Sequence, residues 1–403
     1  MIHPRFFGLR ALCVNVALFA ALAACNSDDS ASKDGKALDT AALARIVDTV
    51  SAELAVPGTL VLVRTPDTTW RYAYGSRVAG GDEPITVHDH VRIGSNTKTM
   101  TGTALLQLVE AGKLSLDDQV SSLLPEYGSA AYPVLQNVTV RQILDMSSGL
   151  ANYSELLSFN QVLDEQPDRV WQPAELAELG LTLPPEFPPG EGFLYSNTNT
   201  VLAGLIVEKL TGMPLREVFA ERIFAPLGLT HTTLPAVTDA SLPQPHPRGY
   251  MFGTNVSTLG DQPTLTPAEQ EAARAGDLLP NDVTYLNPSW GWAAGAGIST
   301  LDDLADYVEA LVDGGLLGEA LQAERLASVK PVQPDDPASA GYGLALAQFG
   351  PMIGHDGSLP GFQSFMGHDP VTHTTLIVVT NLQAGPADEQ PANEIARALM
   401  SEL

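Results

Sequence analysis

The chain has 403 residues, 44% of them hydrophobic and 17% charged, with a formal net charge of −26 at pH 7. That composition excludes a disordered tail or a coiled coil and allows a large core in one domain or two lobes. Six lysines and fifteen arginines against 47 acids exclude a nucleic-acid partner, because a phosphate backbone is held by clustered cations.

Arg5 and Arg10 precede an apolar run over residues 11–24, interrupted only by Asn15 and ending in small residues. This is the layout of an export signal, too short for a membrane span of roughly 20 residues. Leu22-Ala23-Ala24-Cys25 resembles the bacterial lipobox, so the expectation is a lipoprotein signal peptide over 1–24 and lipidation at Cys25. Residues 25–39 then read as a polar tether, and the protein as exported and membrane-anchored, facing the periplasm or the cell exterior. Cys13 leaves with the signal, so the folded part has no internal disulfide and no thiolate nucleophile.

Residues 40–54 have helical periodicity, and 58–64 and 69–74 read as strands. From Ser95 to about Ala111 the pattern predicts an amphipathic helix ended at Gly112. Helical pieces broken by Pro and Gly follow, such as 139–146 and 197–210, and 253–282 reads as irregular. Strand character returns over 342–348, 361–367 and 374–381, and a helix begins near Pro391. Both ends of the chain therefore build one α/β lobe, residues 40–94 and 295–403. Residues 95–294 form a mostly helical second lobe, with the active site between the two.

Three segments could carry chemistry. In RIGSNTKTM, Lys98 lies one helical turn beyond Ser95, within reach of its hydroxyl. A desolvated lysine loses affinity for its proton and can activate a serine. Spacing alone equally fits an N-cap serine and a solvated lysine, and Ser30 to Lys33 repeats it. In Leu-Tyr-Ser-Asn, Tyr195 beside a lysine ammonium could have a depressed pKa and relay protons, and Asn197 could hold a substrate amide. A structural tyrosine fits too, and Tyr285-Leu286-Asn287 is a rival match. In Gly354-His355-Asp356-Gly357-Ser358, placed just before a strand, glycine allows close backbone approach and Ser358 N–H could join Ser95 N–H in an oxyanion hole. His88 and His90 lack a third ligand, so no metal is expected.

Taken in order, Ser-x-x-Lys, Tyr-Ser-Asn and His-x-Gly resemble the penicillin-recognising serine hydrolases, and within them the class C β-lactamases and Streptomyces-type D-alanyl-D-alanine carboxypeptidases. The likeness spans residues 40–403 and includes TVRQILDMSSGLANY, FPPGEGFLYSNTNTVLAGLIVEKLTG and PSWGWAAGAGISTLDDL. It implies a β-lactamase/transpeptidase-like fold, with an antiparallel sheet flanked by helices. It also implies an acyl-enzyme on Ser95, with Lys98 and Tyr195 sharing its proton and Asn197 positioning the acyl amide. His355 stands where many relatives carry lysine, and Trp290 matches an aromatic lining the pocket. Asp356, Gly357 and Ser358 complete the substrate-binding set, with no cofactor. The expectation is a monomeric D,D-carboxypeptidase-like peptidase acting on a small-molecule or peptide substrate. An esterase or amidase, a β-lactamase and a non-catalytic peptide-binding protein are the alternatives. Two departures bear on substrate. Asp356 puts an anion where carboxypeptidase relatives have Thr or Ser, and Arg397 is the only Lys or Arg in 341–403.

Overall fold

The two early strands and the late ones meet in a single sheet. The computed structural model describes residues 38–333, 335–336 and 339–403; the expected export signal, Cys25, Ser30 and the expected tether up to residue 37 lie outside the described residues. The sheet strands are β1 (Gly58–Arg64), β2 (Thr69–Gly75), β3 (Lys330–Pro331), β4 (Gly341–Gly343), β5 (Leu346–Phe349), β6 (Met352–Leu359), β7 (Phe362–Asp369) and β8 (Thr374–Thr380). They are antiparallel in the order β2-β1-β8-β7-β6-β5-β4-β3, with β1 paired to β8 in the register Thr59 to Thr380.

Strands β1 and β8 read as almost unbroken β-branched and apolar runs because both faces of the sheet are covered. On one face Val61, Val63, Phe365, Leu376 and Val378 pack under α1 (Thr40–Glu53) and the last helix, which contributes Ile395 and Leu399. Alternate residues Leu60, Leu62, Met366, Ile377 and Val379 point the other way. They enter the main core with α2 (Thr97–Glu110), α3 (Asn197–Thr211) and α4 (Leu301–Asp313). The last helix, α5 (Pro391–Met400), begins at the proline the sequence marked.

Four expectations change. Helix α2 is not amphipathic: it is buried nearly all round, held between the sheet and the helical segments, and its first buried residues include Lys98. Its threonines satisfy themselves locally, Thr99 Oγ1 donating to Asn96 O and Thr103 Oγ1 to Thr99 O. Residues 342–348 form two short strands, because the chain turns at Ala345, φ 51°. The segment 253–282 contains a helix, Pro267–Ala275, started by a capping box between Thr266 and Glu269.

The fourth change matters most for the site. The Gly354-to-Ser358 segment does precede a strand, β7, but it is itself part of the strand β6. A two-residue turn at Gly350 (φ 60°) and Pro351 joins β5 to β6, and β5 pairs only with Met352, Ile353 and Gly354. Beyond Gly354, β6 keeps β7 on one side and is a bare edge on the other. Backbone groups alternate along a strand. Counting from the closing pairs Phe349–Met352 and Leu359–Phe362 puts the N–H and C=O of Asp356 and Ser358 on that bare edge. Among the described residues no helix is long and apolar enough to cross a membrane.

Candidate active site

Ser95 lies in a single 3-10 turn, Gly94–Asn96, that leads into α2. The turn is fixed to the sheet from below: Asn96 Nδ2 donates to Ser364 Oγ (2.7 Å), which donates to Ile93 O (2.9 Å). It is also pressed against β6. A Cβ on Gly94 (φ 52°) would stand 2.8 Å from Ser358 N, and one on Gly357 would stand 2.2 Å from Ile93 O and 2.9 Å from Ser95 N. Neither position can hold a side chain without pushing the turn and the strand apart, and the close approach sets the N–H groups of Ser95 and Ser358 on adjoining backbones at the strand edge.

One turn on, Lys98 is fully buried. Its Nζ donates to Ser95 Oγ (2.9 Å) and to Ala294 O (2.8 Å) and lies 4.8 Å from the centre of the Tyr195 ring. Burial pushes the ammonium pKa down to about 7, opposed only by the charge of Asp356. Ser95 itself is half-buried, so its hydroxyl faces both the lysine and solvent.

Tyr195 completes the group through a hydrogen bond with Ser95. Its hydroxyl does not become acidic as the sequence suggested. Desolvation, then the neighbouring Tyr342, push it well above the ordinary phenol value, and the bond to Ser95 only partly offsets this. The expected ammonium is only partly present, since Lys98 is itself half discharged near neutrality. The pair is therefore a neutral phenol beside an amine poised to take a proton.

His355 is buried on the same side of β6. Its Nδ1 sits 2.6 Å from the carbonyl of Asp356, so Nδ1 carries the proton and Nε2 accepts from Tyr342 hydroxyl at 3.3 Å. Burial, aided by Lys98, pushes its pKa down to about 4, and the ring is neutral at physiological pH. Asp356 and Ser358 project to the opposite face, where Asp356 Oδ2 accepts from Asn393 Nδ2 of α5 (2.8 Å). The backbone of Asp356, not its carboxylate, lines the edge.

The Tyr195 segment is held by the loop before it. Leu194 N–H donates to Met146 O, while the hydroxyls of Ser196 and Thr198 both donate to Ala151 O. Asn197 begins α3, and its hydrogen bonds go to Asn152 Oδ1 (3.1 Å) and Ser154 Oγ (2.9 Å), not to Ser95 or Lys98. Trp290 lies in the turn Pro288–Trp290, four residues before Ala294. Its carbonyl accepts from Tyr153 hydroxyl at 2.6 Å, and its indole N–H is buried without a partner. His90 Nε2 lies 3.2 Å from His231 Nδ1, and Tyr285 is 60% exposed, which removes it as a rival to Tyr195.

Sequence reasoning missed Tyr342, Asn152, Ser154 and the Ala294 carbonyl. The first three had a local signal, since Gly-Tyr-Gly and Ala-Asn-Tyr-Ser are unusual polar insertions among apolar runs. A backbone carbonyl has none.

The chain matches the Beta-lactamase family over residues 43–400. It is 25% identical to penicillin-binding protein 4* of Bacillus subtilis, covering 89% of this chain and 75% of that protein. Among solved structures, the D-stereospecific amidohydrolase from Streptomyces sp. superposes with a TM-score of 0.75 at 30% identity, covering 90% of this chain and 98% of the other. The D-amino acid amidase from Ochrobactrum anthropi SV3 does so with a TM-score of 0.72 at 27% identity, covering 90% and 98%. The β-lactamase/transpeptidase-like fold expected from the sequence is the fold observed.

Two outcomes follow from the geometry. Fluorophosphonate labelling of Ser95 should speed up about tenfold per pH unit below about 7 and level off above it, because Lys98 must lose its proton to accept one. A rate flat between about pH 5 and 8 contradicts that role for Lys98. Gly357→Ala should fold, by circular dichroism, yet label about a hundredfold more slowly, since its methyl group forces β6 away from Ser95.

Proposed function

Because the chain belongs to the Beta-lactamase family, whose relatives here are serine hydrolases, we propose that it cleaves amide bonds of D-amino-acid substrates through an acyl-enzyme on Ser95. The observation that carries this is the fully buried Lys98 amine 2.9 Å from Ser95 Oγ. Neutral Lys98 takes the hydroxyl proton as Oγ attacks the carbonyl. The developing oxyanion sits between the N–H groups of Ser95 and Ser358 at the strand edge. Tyr195, a neutral phenol, gives its proton to the leaving nitrogen and regains one from Lys98. Water then attacks the acyl-enzyme with the same pair as base. Asn197 and the bare edge of β6 position the acyl part, Trp290 walls the pocket, and His355 with Tyr342 keeps the neighbouring strand in place.

The electrostatics support an amide or a D-peptide with a neutral or cationic end. Arg397 is the only Lys or Arg in 341–403, His355 is neutral, and the Asp356 carboxylate is close enough to act on Lys98 and Tyr195. A substrate carboxylate meets repulsion there, offset only by a Lys98 that is half discharged near neutrality. The D,D-carboxypeptidase reading rests on the likeness to a putative D-alanyl-D-alanine carboxypeptidase of Escherichia coli, 24% identical, and ranks second. The leader and Cys25 support an enzyme exported and tethered by lipid outside the cytoplasmic membrane.

The test is intact mass after a fluorophosphonate and after a penicillin, with turnover of D-phenylalanine amide, D-alanyl-D-alanine and its amide. Adducts abolished in Ser95→Ala, with faster turnover of the amides, are expected. Faster turnover of the free dipeptide points to the carboxypeptidase, and of p-nitrophenyl esters to an esterase. No adduct from either reagent leaves a binding protein. Asp356→Asn keeps the bond to Asn393 and removes the charge. It should raise kcat/KM for the free dipeptide relative to its amide about fivefold. It should also shift the acid limb to lower pH, because Asp356 raises the Lys98 pKa.

A further inference from the structure

Away from the Ser95 cleft, three ligand-type side chains from three elements converge. Asp313 is the last residue of α4, His368 lies near the end of β7, and His373 occupies the turn between β7 and β8. Asp313 Oδ2 is 3.2 Å from His368 Nε2 and 3.3 Å from His373 Nδ1, and the three ligand atoms all lie within 4.8 Å of one another. Two ligands on bonds of 2.0–2.2 Å at a tetrahedral angle stand about 3.4 Å apart. Each histidine nitrogen thus stands from the carboxylate oxygen at the spacing of two ligands on one small ion.

The protons point the same way. Thr375 hydroxyl donates to Glu309 Oε1 (2.7 Å), so its oxygen is left to accept from His368 Nδ1 at 2.9 Å. That places the His368 proton on Nδ1 and the lone pair on Nε2, the arrangement of a metal-ligating imidazole backed by a polar partner. The Nε2 atom is buried, and despite its nearness to Asp313 it makes no hydrogen bond, so the ring aims past the carboxylate. Asp313 itself ends a helix, where the dipole disfavours a carboxylate unless a cation is near.

We propose that Asp313, His368 and His373 bind one divalent transition metal of the zinc type, with a fourth position open to water. Two imidazoles and one carboxylate favour zinc, nickel or copper over magnesium or calcium, which take oxygen. On binding, the His373 proton moves from Nδ1 to Nε2, and the ion clasps the end of α4 to the β7–β8 turn. The site is separate from the serine chemistry and does not depend on it.

The experiment is a zinc titration of the EDTA-stripped, dialysed full chain against a chromophoric chelator, repeated with cobalt for its visible absorption. One equivalent should bind, with cobalt bands of a nitrogen-containing site and a zinc-dependent rise in Tm. Asp313→Asn and His373→Asn should each lose at least tenfold in affinity and lose the cobalt bands; asparagine tolerates the positive φ of His373 (53°). Thr375→Val should lose about tenfold by freeing the tautomer. No binding, or binding of equal strength in the wild type and His373→Asn, overturns the proposal, the latter marking an adventitious ion only.

Discussion

An amine with no water around it governs this site. Lys98 is taken wholly out of solvent, and its charge is balanced only at a distance by Asp356. Burial of a cation with no paired anion is costly, and the protein answers by loosening the proton to about neutrality. That loosening is what makes a serine hydroxyl 2.9 Å away a nucleophile. Keeping water from Lys98 requires α2 to be buried on nearly every side. This explains a helix rich in threonine and leucine with hardly an exposed polar face, braced by Arg325 through Thr103 and the carbonyls of Thr99, Leu344 and Ala345.

The second constraint is steric. The nucleophile turn and the strand β6 touch backbone to backbone, with Gly94 and Gly357 facing each other across the contact. Bonds from Asn96 and Ser364 lock the turn in that position. The same strand loses its neighbour after Gly354, so the outward N–H of Asp356 and the N–H and C=O of Ser358 face an extended substrate as a strand edge, while the Asp356 carbonyl accepts from His355 Nδ1. The hydroxyl, the paired N–H donors and the binding edge thus arise from one packing decision.

Tyr195 shows why pKa logic has to be applied to both partners. A tyrosine beside an ammonium is acidified, but here the environment that would hold the ammonium has removed about half of its charge near neutrality. The phenol is desolvated by that same environment and moves upward. The division of labour follows: the lysine accepts the first proton and the tyrosine passes one onward.

The sequence by itself determined the family, the order of the catalytic motifs and the elements with strong local signals. The β-branched runs of β1 and β8, the proline start of α5 and the Ser-x-x-Lys spacing are short-range features, and short-range features are written in neighbouring residues. Tertiary structure alone decided that the Ser95 and Tyr195 marked by the family likeness come into contact, that β6 is a half-bare strand, that α2 is buried nearly all round, and which way the protons sit. It also brought Asp313 to His368 and His373, which nothing in their sequence surroundings announces. These depend on desolvation and on contacts between distant segments, and a residue's solvation is a property of what packs against it.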